Sequence, residues 1–300
     1  MSSPYATALT SGTAPPKTVS IVGCGYTGLR LARRWQAAGY DVRGYATRTE
    51  SLRQIAALGA QASPLNLDQA PAPIDVDGQL LYYAAPPAPV GDRDLRLERL
   101  LEQSVGTPRR FVYLSTTGVY GDRGGGAVDE ASPAAPKSER AIRRLAAETS
   151  LRQWADSRAV SWCILRIPGI YGPTRLPLDR LRRREPAIDP AEASPGNRIQ
   201  VEDLVTACVA AGVAPQADDR IYNITDGSDD SATAFLQRVA RIANLPPPPL
   251  VSLAEARKTF GALAWSFLSE SRRVDNRRML DELQVALAFR DLDAGIRASL

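Results

Sequence analysis

The chain has 300 residues, of which 44% are hydrophobic, with a net charge of +4 and no histidine. That length can bury a full α/β core, with or without an added lobe. The missing imidazole excludes a Ser-His-Asp triad and any His-ligated zinc site.

Residues 1–17 are rich in Ser, Thr, Ala and Pro but lack the basic-then-apolar order of a signal peptide, so they read as a flexible tail. The first strand is expected over 18–23. It runs into Gly23-Cys24-Gly25-Tyr26-Thr27-Gly28 and then a helix over 27–38. This is a Gly-x-Gly-x-x-Gly turn in the context that gives the motif meaning, between an apolar strand and a helix closed by Gly39. One glycine serves the tight turn, one lets the backbone approach a pyrophosphate, and one permits close helix–strand packing. The helix N-terminus adds free N–H groups and a positive dipole end. All six turn residues, 23 to 28, are therefore candidates for holding a dinucleotide.

A second strand at 41–46 ends in Ala46-Thr47-Arg48, with no carboxylate before Glu50. A carboxylate there would favour NAD by bonding the adenosine 2′-hydroxyl. An arginine can instead pair with a 2′-phosphate, so Arg48 favours NADP, with NAD as the alternative.

Further strands are expected at 62–66, 79–84, 110–115, 160–166 and 220–224, and helices at 50–58, 93–104, 138–156 and 202–213. Alternation of this kind argues for a parallel sheet with helices on both faces, an α/β, Rossmann-type doubly wound fold. Ala84, Ala85 and Pro86 follow the fourth strand and are small enough to pass under a cofactor.

Beyond about residue 167 the pattern loosens into proline-rich, charged sequence, with short helices near 253–260 and 275–283. The expected organisation is a nucleotide-binding domain over 18–166, rejoined by 196–243. A smaller C-terminal substrate lobe would comprise 167–195 and 244–300. Arg180 to Arg184 is a basic cluster without aromatic interleaving, so it reads as a solvated face or an anionic-substrate contact, not a nucleic-acid surface. No apolar run is long enough to suggest a membrane span. Three widely spaced cysteines, Cys24, Cys163 and Cys208, form no metal pattern and suit reduced thiols, so a cytoplasmic location is expected.

Three later segments carry a resemblance. They are Tyr113-Leu114-Ser115-Thr116-Thr117-Gly118-Val119-Tyr120-Gly121, Leu165-Arg166-Ile167-Pro168-Gly169-Ile170-Tyr171-Gly172-Pro173, and Asn197-Arg198-Ile199-Gln200-Val201-Glu202-Asp203-Leu204. With the glycine turn and Tyr222-Asn223-Ile224, they resemble the extended short-chain dehydrogenase/reductases, in particular the NAD(P)-dependent epimerase/dehydratase branch. The resemblance implies an oxidoreductase or epimerase/dehydratase acting on a small carbonyl, alcohol or sugar-like substrate. It also implies that Thr116 polarises a substrate oxygen, that Ser115, Pro168 and Gly169 lie beside the cofactor, and that two copies can pair through helices.

The resemblance breaks at the proton donor. The family's Tyr-x-x-x-Lys pair falls on Arg140 and Arg144, and no tyrosine lies in that helix. A tyrosine of pKa near 10 needs roughly 4 kcal/mol of differential stabilisation to work near neutrality. An arginine, protonated up to about pH 12 or beyond, offers no acid at all. Arg144 could still hold ribose hydroxyls, and Arg140 could bind an anionic substrate group. Substitute acids suggested by position are Tyr120, Tyr171, Asp129 and Glu130. The alternatives are a catalytically silent NADP-binding sensor, an interaction module, or a scaffold that has kept only the fold.

Overall fold

The computed structural model describes residues 17–268 and 270–300; the tail expected over 1–17 lies outside them except for Lys17. Seven parallel strands form the central sheet: β1 (Thr18–Val22), β2 (Asp41–Ala46), β3 (Gln61–Pro64), β4 (Leu80–Tyr83), β5 (Arg110–Thr116), β6 (Ser161–Ile167) and β7 (Arg220–Asn223). Their spatial order is β3-β2-β1-β4-β5-β6-β7. A single row, Ala62–Gly44–Ile21–Tyr82–Val112–Cys163–Arg220, runs in register across all seven.

The central strands β1, β4, β5 and β6 are buried on both faces, which is why they read as nearly continuous apolar runs. On one face Ile21, Tyr82, Val112 and Cys163 pack against Leu31 and Trp35 of α1 (Tyr26–Ala37) and Leu204 and Cys208 of α6 (Val201–Val213). On the other, Leu81, Tyr83, Phe111 and Ile164 meet Leu97 and Leu101 of α3 (Leu95–Gln103) and Ala147 and Leu151 of α4 (Glu139–Asp156). The short helix α2 (Thr49–Ala57) seats Ile55 on the first face. The expected helices of this region therefore all appear, because their apolar periodicity and tight closing turns are local signals.

A smaller core joins Tyr171 with α5 (Leu178–Arg182), α7 (Ala232–Ile242) and α11 (Leu292–Arg297), through Leu181, Leu236, Val239, Leu292 and Ile296. The sequence analysis drew no helix over α7. The signal was present: Ser231 caps it by accepting from the Ala234 amide at 3.1 Å. Conversely, Met279 of α10 (Arg277–Glu282), with Leu283 and Val285, packs into the main-sheet core. The chain thus crosses between the two cores more often than its sequence pattern suggests. Two short helices, α8 (Leu253–Thr259) and α9 (Ala262–Leu268), complete the described α-helices before α10. Among the described residues no helix is long and apolar enough to cross a membrane.

Candidate functional site

The loops after β1, β2 and β4 enclose a cleft of about 770 Å³ at the carboxyl edge of the sheet, the edge where ligands bind in this architecture. The glycine turn is pinned to β2, with the Gly23 and Cys24 amides both donating to the Tyr45 carbonyl at 3.1 and 2.9 Å. Gly23 has φ +82°, and a Cβ there would lie 2.6 Å from Ala85 Cα. Only glycine lets the first turn lie on the Ala84–Ala85 loop.

Gly25 faces open space, with nothing within 4 Å of where a Cβ would be. As the N-cap of α1 it offers no side-chain acceptor, so the first amides of the helix have no intrahelical partner and stay available to an anion. Gly28 packs against the Gly23 carbonyl, Ile21 and Cys24. The residues present fit a dinucleotide's diphosphate.

Gly23, Cys24, Gly25, Arg48, Ala85 and Pro86 all line this cleft. Cys24 is buried, which pushes its thiol up to about 12. Tyr26, Thr27 and Gly28 do not line it with their side chains; Thr27 and Gly28 are buried beneath the turn. Arg48 is exposed at the end of β2, beside Thr47 and Ser51. One ion pair in the wall escaped the sequence analysis. Arg96 holds Asp68 with two bonds of 2.7 and 2.8 Å while donating to the Pro86 carbonyl at 3.0 Å.

The ends of β5 and β6 open onto a second cleft of about 430 Å³, lined by Thr116, Arg140, Pro168 and Gly169 among others. Thr116 Oγ1 accepts from the Gly118 amide at 3.1 Å, leaving the hydroxyl proton to donate outward. Pro168 and Gly169 belong to this cleft and not to the glycine-turn cleft.

Two expectations require correction. Ser115 does not face a cofactor. Successive strand residues point to opposite faces, and its hydroxyl donates inward to Glu148 at 2.6 Å. Tyr120 is no substitute acid either. It is fully buried, its hydroxyl donates to Asn223 Oδ1 at 2.7 Å, and it lines neither cleft.

The other substitute acids fare no better. Tyr171 lines the cleft, but its hydroxyl is buried and finds no hydrogen-bond partner among the described residues, and a Cβ at Gly295 would sit 3.1 Å from its Cζ. Burial pushes its phenol well above the ordinary value. Asp129 closes a local turn with Ser132 at 2.8 Å, and Glu130 accepts from the Asn223 amide at 2.8 Å.

Arg140 and Arg144 do not simply solvate an exposed helix face. Arg140 lines the cleft. Arg144 reaches the Ala84–Ala85 loop, donating to Tyr113 Oη and the Leu114 carbonyl at 3.1 Å and to the Ala85 carbonyl at 3.4 Å. It lines neither cleft.

The cleft's charge is its main electrostatic feature. Its described lining holds five arginines, Arg140, Arg175, Arg180, Arg198 and Arg272, against one carboxylate, Glu270. Burial of Arg140, Arg175, Arg180 and Arg198 lowers their guanidinium pKa values, because their countercharge does not repay desolvation. Of the basic run at 180–184, only Arg180 reaches the cleft; Arg182 and Arg183 pair locally with Asp179 and Glu185 at 2.8 Å. Glu270 and Arg272, 3.1 Å apart, had no motif to reveal them. Arg175 and Arg198 lay in or beside quoted motifs without being singled out.

The fold agrees with that of known proteins. A functionally unknown conserved protein from Silicibacter pomeroyi DSS superposes with a TM-score of 0.77 at 30% identity, covering 94% of this chain and 97% of that one. Residues 95–225 match the model of the NAD-dependent epimerase/dehydratase family. The chain belongs to that family. Protein YeeZ of Escherichia coli (strain K12) is 29% identical over 246 residues, 77% of this chain and 86% of YeeZ. A UDP-glucuronic acid 4-epimerase from Bacillus cereus, solved in complex with NAD, shares the fold with a TM-score of 0.74 at 17% identity, covering 94% of this chain and 97% of that one. Positions 140 and 144 of this chain are arginines, where the resemblance to the extended short-chain enzymes leads one to expect tyrosine and lysine.

Proposed function

We propose that this protein is an NADP-binding, atypical short-chain dehydrogenase/reductase that acts as an oxidoreductase or epimerase/dehydratase on a small anionic carbonyl, alcohol or sugar-like substrate. The observation that carries the reading is the cleft beside Thr116, with five guanidiniums against a single carboxylate. Such a site favours a phosphate or carboxylate, each charge-assisted hydrogen bond contributing about 1.5–3 kcal/mol.

The bound dinucleotide would supply or accept a hydride. Thr116 polarises the substrate oxygen through a hydrogen bond from its hydroxyl, keeping its proton. Arg140, at the family's acid position, binds the substrate's anionic group and stabilises negative charge on the reacting oxygen. Arg144 acts on the Ala85 loop and the end of β5, keeping the cofactor floor in place. Its grip on two backbone carbonyls supports that role over contact with the ribose. Arg48, at the end of β2 with Thr47 and Ser51, supports NADP as the preferred form.

A second reading, a silent NADP-binding sensor, is favoured by one observation: Tyr171, the one tyrosine in the cleft's described lining, turns its hydroxyl away. The two separate by experiment. Fluorescence titration should give tighter binding of NADPH than of NADH, and absence of binding would end both readings. NADPH oxidation is then followed with carbonyl compounds bearing carboxylate or phosphate groups. Turnover that Thr116→Ala removes supports the enzyme; binding without turnover across the panel supports the sensor.

A further inference from the structure

Tyr26 is the first residue of α1, immediately after the cleft-lining Gly25, so its amide is one of the helix-start donors without an intrahelical partner. Its ring lies between two guanidiniums, with Arg30 Cζ 4.1 Å and Arg175 Cζ 3.9 Å from its centroid. The Tyr26 hydroxyl donates to the Pro173 carbonyl at 2.9 Å. A Cβ at Gly172 would lie 2.6 Å from that hydroxyl and 2.7 Å from Val201 Cγ1, so only glycine lets the chain pass. The turn then closes with the Arg175 amide bonded to the Gly172 carbonyl at 3.0 Å. Residues 172–175 are thus moulded on the residue that opens the phosphate-facing helix, while Arg175 itself walls the substrate cleft.

The two cations on the ring differ in their partners. Arg30 is paired with Glu202 at 3.2 Å. Among the described residues, no carboxylate lies within ion-pair distance of Arg175, and its neighbouring charge is Arg30, a like charge. A planar guanidinium stacked on an aromatic ring is held in direction while its edge stays free to donate. Two cations flanking one ring repel unless an anion approaches.

We propose that Arg175 is a cofactor-positioning residue, which reaches from the substrate side to the dinucleotide's diphosphate, so that dinucleotide binding fixes the turn walling the substrate cleft. The inference rests on the dinucleotide reading above and adds a ligand from outside the glycine turn. It also assigns Tyr26 a task for its side chain, as the platform that aims Arg175.

The test titrates the full chain with NADPH by fluorescence and with adenosine 2′-monophosphate, which lacks the diphosphate, by calorimetry. Arg175→Ala is expected to weaken NADPH about tenfold and to leave the monophosphate within about twofold. Arg175→Lys should recover part of the loss, since it restores the charge without the planar stack. Tyr26→Leu should weaken NADPH in the same direction, with little further loss when Arg175→Ala is added. Circular dichroism melts check that each variant is folded. Wild-type affinity for NADPH in Arg175→Ala, or equal losses for both ligands, would overturn the inference alone. Failure of the wild type to bind NADPH would overturn the dinucleotide reading and this inference together.

Discussion

Glu148 accepts the Ser115 hydroxyl at 2.6 Å on one carboxylate oxygen and holds Arg166 through both, at 2.8 and 3.2 Å. The carboxylate and guanidinium are 1% and 6% exposed, and the guanidinium also stacks over Tyr120 at 4.8 Å. Ser115, which this buried pair holds, is the neighbour of Thr116 on β5, so the strand that presents a hydroxyl to the cleft is anchored from behind.

Glu148→Ala should therefore be strongly destabilising, because it strands a buried guanidinium. The expected loss is about 3–5 kcal/mol, read from urea unfolding. Ser115→Ala, which removes only one hydrogen bond, should cost about 1 kcal/mol. A Glu148→Ala protein as stable as wild type would refute the anchoring role.

The glycine turn separates folding from binding. A side chain at Gly25 meets open space at an ordinary negative φ of −103°. Gly25→Val should melt within a few degrees of wild type yet lose NADPH binding, because the new methyls occupy the phosphate's approach. Gly23→Ala should lower both stability and binding, since its Cβ would collide with the Ala85 backbone at positive φ. Retained NADPH binding in a folded Gly25→Val protein would count against the cradle.

Arg48→Ala should weaken NADPH about tenfold, the scale of one charge-assisted contact to a phosphate. NADH, which lacks the 2′-phosphate, should change by less than about twofold. Equal losses in parallel fluorescence titrations would remove the phosphate contact and with it the preference for NADP.

Asp293 ties α11 to α7 through Arg238 at 3.1 Å and through Arg241. The Arg241 bond and the Arg238 bond hold its carboxyl below the ordinary carboxylate range. For a group whose pKa is depressed on folding, the stabilisation is present above the unfolded value and disappears as pH falls through the folded one. Asp293→Asn should thus lower the melting temperature near neutrality by a few degrees. The gap between variant and wild type should narrow as pH falls below about 4. A gap that stays constant down to pH 2.5 would exclude this linkage.

Much of the fold was legible before any coordinates. β1 to β7 and α1 to α4 follow from apolar periodicity and turn residues confined to about ten positions each, signals that packing reinforced. The glycine turn and Arg48 were readable for the same reason, since their geometry depends on neighbours in the chain. α7 also carried its signal in Ser231 and the Leu236–Val239–Ala240 stripe, but its packing partners, Leu181 and Ile296, are remote in sequence.

The sequence by itself determined that a parallel α/β sheet would present a glycine-rich turn between its first strand and helix, and that arginines stand where a tyrosine and lysine are expected. Only the tertiary structure decided which way those side chains face. Ser115 and Thr116 are neighbours whose directions differ by the strand's alternation, and Arg140 and Arg144 are one helical turn apart yet reach different places. The cleft's charge arises from Arg140, Arg175, Arg180, Arg198, Glu270 and Arg272, contributed by distant segments. Side-chain direction and long-range meeting depend on how packed elements are oriented, and no local pattern encodes that.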